Sequence, residues 1–363
     1  MRFLRLFLLI SLLACPALAE NVVLMNGIII DGTGKARFTG NIRIRDGKIT
    51  DIGLFKPAAG ETLLDVKGLI VAPGFIDLEN LSVAELEKDM AVTSTIARGV
   101  TTAILGSDGT GPYLVEEFMQ PFDDKAPAVN IAMLVGHATV RRQIMGSDYT
   151  RAAKEDEVRG MVQLVETAMR QGAFGLASDL RTVPALFSTA DELSALAKAA
   201  ARFGGTLLIH PRDEKIQEAL DIARNAKMAL QLSLNTLTTS TLAEIEKARL
   251  QGVDVGAHIY TFTIAGPELR GLLQSSSTAI SLNQHLRDDK GLTLERAIQK
   301  LAGLPAARFS LKERGALRRG IPADIIVFNS PAPSSGLKYV FVNGTLVFKD
   351  GQPTGARPGQ ALR

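Results

Sequence analysis

The chain has 363 residues, 46% hydrophobic and 22% charged, which is enough for one large domain with a smaller accessory unit and shows no bias towards disorder. Its formal charge is only +3, so nothing points to a nucleic-acid partner, and a single cysteine excludes a disulfide framework.

The first nineteen residues, MRFLRLFLLISLLACPALA, set Arg2 and Arg5 before an apolar run, then Pro16 and the small-residue pattern Ala17-Leu18-Ala19. This is the pattern of a secretory leader cleaved after Ala19, which makes periplasmic export the expectation. The apolar run is shorter than the roughly 20 residues of a membrane span, so no span is expected after cleavage. "LLAC" at Cys15 resembles a lipidation site only loosely, because Leu13 and Pro16 fit it poorly. Loss of the leader takes away the cysteine and two arginines, leaving a net charge of +1 and no thiolate ligand.

From Val22 to Val71 short β runs alternate with turn signals. Asn26-Gly27, Asp31-Gly32 and Asp46-Gly47 predict hairpin-type turns, and Ile42, Ile44, Ile49 and Ile52 alternate as strand residues do. The far end repeats this texture in ADIIVFN, LKYVFVNG and TLVFKDG. A small β-sandwich formed by both chain ends, residues 20–68 and 313–363, is therefore expected after a leader at 1–19.

Residues 69–312 read differently. VTTAILGSDG, VNIAMLVGH, AFGLASDL, GTLLIHPRD, MALQLSLN and VDVGAHIYTF are apolar strands that end in polar residues. Helices separate them, two of which begin with capping boxes in the sequence, Thr189 to Glu192 and Thr241 to Glu244. Continuous apolar strands alternating with helices predict a parallel sheet covered on both faces. The number of units favours an α/β fold of the (β/α)8 TIM-type barrel class, and no glycine-rich dinucleotide fingerprint supports an open sheet.

In such a barrel the chemistry gathers where strands end. Glu79, Asp108, His137, Asp179, His210 and His258 fall there, with Arg141 and Tyr260 close by. No nucleophile elbow, phosphate loop or His-Glu-x-x-His helix is present.

The segments "NGIIIDGTG", "VAPGFID", "GALRRGIPADIIVFN" and "VFVNGTLVFKDGQPTG" resemble the amidohydrolase superfamily. "VNIAMLVGHATVRRQIMG", "GAFGLASDL", "IHPRDE" and "AHIYTF" resemble its D-aminoacylase (N-acyl-D-amino-acid deacylase) branch. The resemblance implies a metal-dependent amide hydrolase in which zinc activates water and an aspartate at the last barrel strand moves the proton. It also implies that ligands have been replaced. The family's His-x-His pair falls on Glu79 and Leu81, its cysteine on Asp108, its Ser-His on Ser233-Leu234 and a nearby lysine on Thr236, while His210 matches a ligand. The last-strand aspartate has no counterpart in SSSTAISLNQHLRDDKG, where Asp288 and Asp289 come too late.

The leading expectation is a noncatalytic or weakly active relative that keeps a pocket for a small acylated amino acid or peptide, with Glu79, Asp108, His137, Arg141, Asp179 and Tyr260 as pocket candidates. No cofactor is expected on this reading. A rival is an active amide hydrolase whose single zinc is rebuilt from His210, His258, Asp108 and Glu79, and a third reading is a scaffold for a protein partner.

Overall fold

The computed structural model describes residues 21–79, 81–235, 238–259, 293–329 and 336–363. Both chain ends enter one mixed nine-stranded sheet. The amino-terminal part supplies β1 (Val22–Ile29), β2 (Phe38–Arg45), β3 (Lys48–Gly53), β4 (Thr62–Asp65) and β5 (Ile70–Pro73). The central strands β6 (Phe75–Asp77), β7 (Val100–Leu105), β8 (Asn130–Met133), β9 (Val135–Gly136), β10 (Gly175–Asp179), β11 (Thr206–His210), β12 (Ala229–Leu234) and β13 (Val255–Ile259) build the barrel. The carboxy-terminal β14 (Ile325–Phe328), β15 (Leu337–Val342), β16 (Thr345–Lys349) and β17 (Gln352–Pro353) complete the sheet, with β14 antiparallel to β5. The expected sandwich is thus bonded as one continuous sheet, wrapped on a core that includes Ile42, Ile44, Ile49, Val71, Ile325 and Phe341.

Two details of the sheet differ from the sequence expectation. Asn26-Gly27 makes no turn: it lies inside β1, where the register with β2 shifts. Asn26 has φ 62°, and a Cβ on Gly27 would lie 2.6 Å from Val71 Cγ2, so the pair forms a bulge that lets β5 approach. Asp46-Gly47 does turn β2 into β3, both residues having positive φ. The second difference is the boundary at residue 69, because β5 still belongs to the sheet. Ile70 and Ala72 pack into the barrel-side core while Val71 packs into the sheet core, so burial on both faces gives β5 the apolar run of a barrel strand.

The crossover falls at Gly74. A Cβ there would sit 2.1 Å from Thr101 Oγ1, and the Gly74 amide donates to the Asp324 carbonyl at 3.0 Å. Gly74→Ala is expected to cost about 1–2 kcal/mol by overpacking, measured as a lower urea midpoint with an unchanged slope.

The barrel is of the (β/α)8 type, its described strands running parallel in the orders β6-β7-β8 and β9-β10-β11-β12-β13. The two arcs join through Leu134, whose amide donates to Leu105 at 2.9 Å, and through the Phe174 amide, which donates to Met133 at 2.8 Å. The segment expected to carry the last strand lies outside the described residues. Strand alternation divides the core: Phe75, Leu105, Met133, Leu207 and Ile209 belong to the layer shared with the helices. Ile76, Ile104, Ala132, Ala177 and Leu208 gather instead with Phe309 and Leu311. That alternation carries Asp179 and His210 on the same face as Ala177 and Leu208, at the ends of their strands. Among the described residues no helix is long and apolar enough to cross a membrane.

Candidate functional site

Parallel register aligns the strand ends. Asp179 pairs with His210 between β10 and β11, and Ser233 with His258 between β12 and β13. Glu79, two residues beyond β6, turns back among them. Its Oε1 lies 2.7 Å from His258 Nε2 and 3.8 Å from His210 Nε2, and its Oε2 accepts from Ser107 Oγ at 3.3 Å. Unpaired carboxylates ordinarily seek water, yet this side chain is only 10% exposed. Burial pushes the Glu79 carboxyl up, but the His258 hydrogen bond and charge, His210 and Ser233 together hold it below its ordinary value. The Ser233 hydroxyl does this from outside full hydrogen-bond geometry.

The two histidines are pinned at both nitrogens. Gln231 Nε2 donates to His258 Nδ1 at 2.8 Å, which leaves the proton on Nε2 for Glu79. Arg181 Nη2 donates to His210 Nδ1 at 2.8 Å, and His210 Nε2 donates to the Ser107 carbonyl at 3.2 Å. Arg181 also grips Asp179 with both Nε and Nη2 at 2.9 Å and reaches Asn235 Oδ1 with Nη1 at 3.0 Å. Glu214 holds Asn235 in turn, through its side-chain amide at 2.8 Å and its backbone amide at 3.1 Å.

Glu79, Asp179, His210 and His258 are thus brought together, whereas other candidates lie elsewhere. Asp108 is exposed and closes on its own turn, accepting from the Thr110 amide at 3.0 Å and the Thr110 hydroxyl at 2.8 Å. His137 and Arg141 are fully buried. His137 binds Ser178 Oγ at 2.7 Å and Glu192 Oε1 at 2.8 Å, and Arg141 pairs with the same Glu192 carboxylate and with the Tyr149 carbonyl. They form a network beneath the surface. Leu81 and Leu234 are buried. Tyr260, Thr236, Asp288 and Asp289 lie outside the described residues.

Zinc needs lone pairs aimed at one point. Among the described residues no group of three histidine, cysteine, aspartate or glutamate side chains is placed to hold a metal. His210 Nδ1 is occupied by a guanidinium, His258 by Gln231 and Glu79, Asp108 by Thr110, and Leu81 has no donor. As arranged, the described residues do not fit the ion.

Acid should weaken this arrangement. Burial lowers the His210 imidazole below 6.5, against the pull of Glu79 and Asp179. Below pH 6.5 the unfolded chain therefore binds a proton that the folded chain refuses, and stability falls as pH drops through that range. Asp324 acts oppositely, since burial pushes its carboxyl from 3.8 up to about 6, and its proton uptake favours the fold on acidification. The clean measurement is a difference: His210→Asn, which keeps an acceptor for Arg181, is expected to flatten the stability profile between about pH 6.5 and 5 relative to the parent chain.

Sequence reading missed Arg181, Ser107, Gln231, Asn235 and Glu192. Arg181 lies in the turn that follows β10, where the Thr182 amide donates to the Asp179 carbonyl, and strand alternation gives no signal for it. Glu192 was hidden by a capping box. Thr189 Oγ1 does accept from the Glu192 amide at 3.1 Å, but the carboxylate serves His137 and Arg141 instead of the cap. The Thr241 box fails too, since Thr238 is the cap and Thr241 lies within the helix Thr239–Leu250. A cavity of about 910 Å³ lined by Phe203, Leu311, Arg314 and Arg363 adjoins the other end of the barrel strands and has no part in this site.

No protein-family model matches the sequence. The chain is 27% identical to an N-acyl-D-aspartate deacylase of Alcaligenes xylosoxydans xylosoxydans, over 96% of this chain and 95% of that protein. It is 26% identical to a D-aminoacylase of the same organism, over 94% and 97%. These alignments run over 478 and 472 positions, longer than the 363 residues here, so the relatives carry segments without a counterpart in this chain. Among solved structures it is similar to the N-acyl-D-glutamate deacylase from Bordetella bronchiseptica, solved with zinc and a phosphonate inhibitor. The TM-score is 0.80 at 26% identity, covering 95% of this chain and 99% of the other. A D-aminoacylase crystal structure matches the fold with a TM-score of 0.82 at 23% identity, over 94% and 99%.

Proposed function

We propose, from the premise that the chain is a D-aminoacylase-like protein of the amidohydrolase superfamily, that it binds small N-acylated amino acids or peptides at this barrel mouth without hydrolysing them. The observation that carries the reading is the donor set. The histidine that matches a family ligand gives its Nδ1 lone pair to Arg181, and the position of a second ligand is Leu81. In a protein that holds it, zinc would lower the pKa of a bound water to about 7 and polarise the carbonyl under attack. Glu79, His258 and His210 are instead spent on one another.

The same residues suit recognition. The His258 and Arg181 side chains keep 22% and 23% of their surface open at this mouth, and a ligand carboxylate would meet the positive charge of the Arg181 guanidinium there. Two of the relatives named above are deacylases of N-acyl-D-aspartate and N-acyl-D-glutamate, which fits that pairing. Calorimetry with N-acetyl-D-aspartate and N-acetyl-D-glutamate is expected to show binding that a chelator leaves unchanged, with no release of free amino acid. Hydrolysis abolished by the chelator would overturn the reading, and absence of any binding would favour the scaffold alternative.

The leader sequence supports placing the mature protein in the periplasm. Fractionation with amino-terminal sequencing should find a chain that starts at Glu20; an unprocessed chain in the cytosol would remove this part of the proposal.

A further inference from the structure

We infer that the Arg181 guanidinium is the barrel's own cation, seated where His210 would otherwise present its Nδ1 lone pair to a metal ion. The inference rests on the reading that the zinc centre has been lost, and it identifies what took its place. Nη2 of Arg181 lies 2.8 Å from His210 Nδ1 and 2.9 Å from Asp179 Oδ2. One nitrogen therefore occupies the gap between an imidazole lone pair and a carboxylate oxygen, two donor types that zinc takes. Both partners are buried, His210 at 1% and the Asp179 side chain at 9% exposure.

The rest of the guanidinium is fixed by the same surroundings. Nε completes a two-pronged grip on Asp179, and Nη1 bonds Asn235, itself braced by Glu214. A planar fork that stays charged at any working pH can satisfy both prongs of Asp179 without an exchangeable ion. Asp179 touches the position and Glu214 adjoins it through Asn235, while Glu79 faces the other nitrogen of His210, with His258 held against it. Taking the guanidinium away leaves an acidic mouth in which the His210 Nδ1 and Asp179 lone pairs face one emptied position, the condition for divalent metal uptake.

Cobalt(II) is the probe, because histidine coordination changes its visible spectrum and the readout needs no turnover. The parent chain is expected to show no spectral change assignable to His210. Arg181→Ala should bind cobalt more tightly by about tenfold or more, the scale on which neighbouring groups alter metal affinity. Arg181→Ala combined with His210→Asn should lose that gain, and Arg181→Lys, which keeps the charge, should not acquire it. A folded Arg181→Ala chain with no gain overturns the inference. If that variant does not fold, the ¹⁵N resonances of His210 in the parent chain decide: they should not move when zinc is added, and a zinc-dependent shift at His210 overturns the inference. Zinc bound to the parent chain away from His210 would sink the noncatalytic reading and leave this inference standing. A zinc-free parent with an unresponsive Arg181→Ala would do the reverse.

Discussion

Glu192→Ala is expected to destabilise the folded chain by about 3–5 kcal/mol, the cost of stripping a buried ion pair of one partner. Glu192 is 2% exposed, and His137 and Arg141 are fully buried. Burial pushes its carboxyl up, but the hydrogen bonds and charges of His137 and Arg141 hold it below the ordinary value, so it is ionised in the fold. Its removal leaves the Arg141 guanidinium in the interior with, among the described residues, the Tyr149 and Arg151 carbonyls to answer it. Glu192→Gln should fall between parent and alanine, since an amide keeps hydrogen bonds but not the charge. Replacing Glu192, Arg141 and His137 together by apolar residues of similar size should recover much of the loss, because it is the orphaned charge that is costly. Urea denaturation of the set measures this directly. A loss below about 1 kcal/mol for Glu192→Ala would show that water reaches the network.

Glu79→Ala is expected to cost about 2–3 kcal/mol, because it strands the His258 Nε2–H and the Ser107 hydroxyl in a largely buried setting. The variant should also lose part of its acid sensitivity. The Glu79 carboxyl is held below 4.5 in the fold, so its contribution is complete above that value and disappears as pH falls through the folded pKa. Glu79→Gln, which can still accept from His258, should cost less. Thermal unfolding at pH 7 and at pH 4 separates the two effects.

These two networks show what the sequence disclosed and what it hid. The barrel strands were legible because burial on both faces makes continuous apolar runs, and their ends were legible because Asp179, His210 and His258 interrupt those runs. The β texture of both termini was legible for a similar reason, since Asp46-Gly47 and the alternating isoleucines obey hairpin geometry. Asn26-Gly27 misled because the same positive φ that closes a hairpin also makes a bulge within a strand. Asp108 misled because a strand-end carboxylate can satisfy itself on the next hydroxyl, here Thr110. Glu192 was hidden more deeply. Local spacing offered it a sufficient explanation as part of a helix cap, and only the distant His137 and Arg141 gave it its partners.

A single account links Glu79, Leu81 and Arg181: an amidohydrolase barrel whose metal-facing groups now bind one another. The most direct measurement is elemental analysis of the protein purified without chelator from zinc-supplemented cells. The account predicts zinc far below one ion per chain, unchanged in His210→Asn. About one zinc per chain that vanishes in His210→Asn, together with hydrolysis of an N-acyl amino acid, would contradict it.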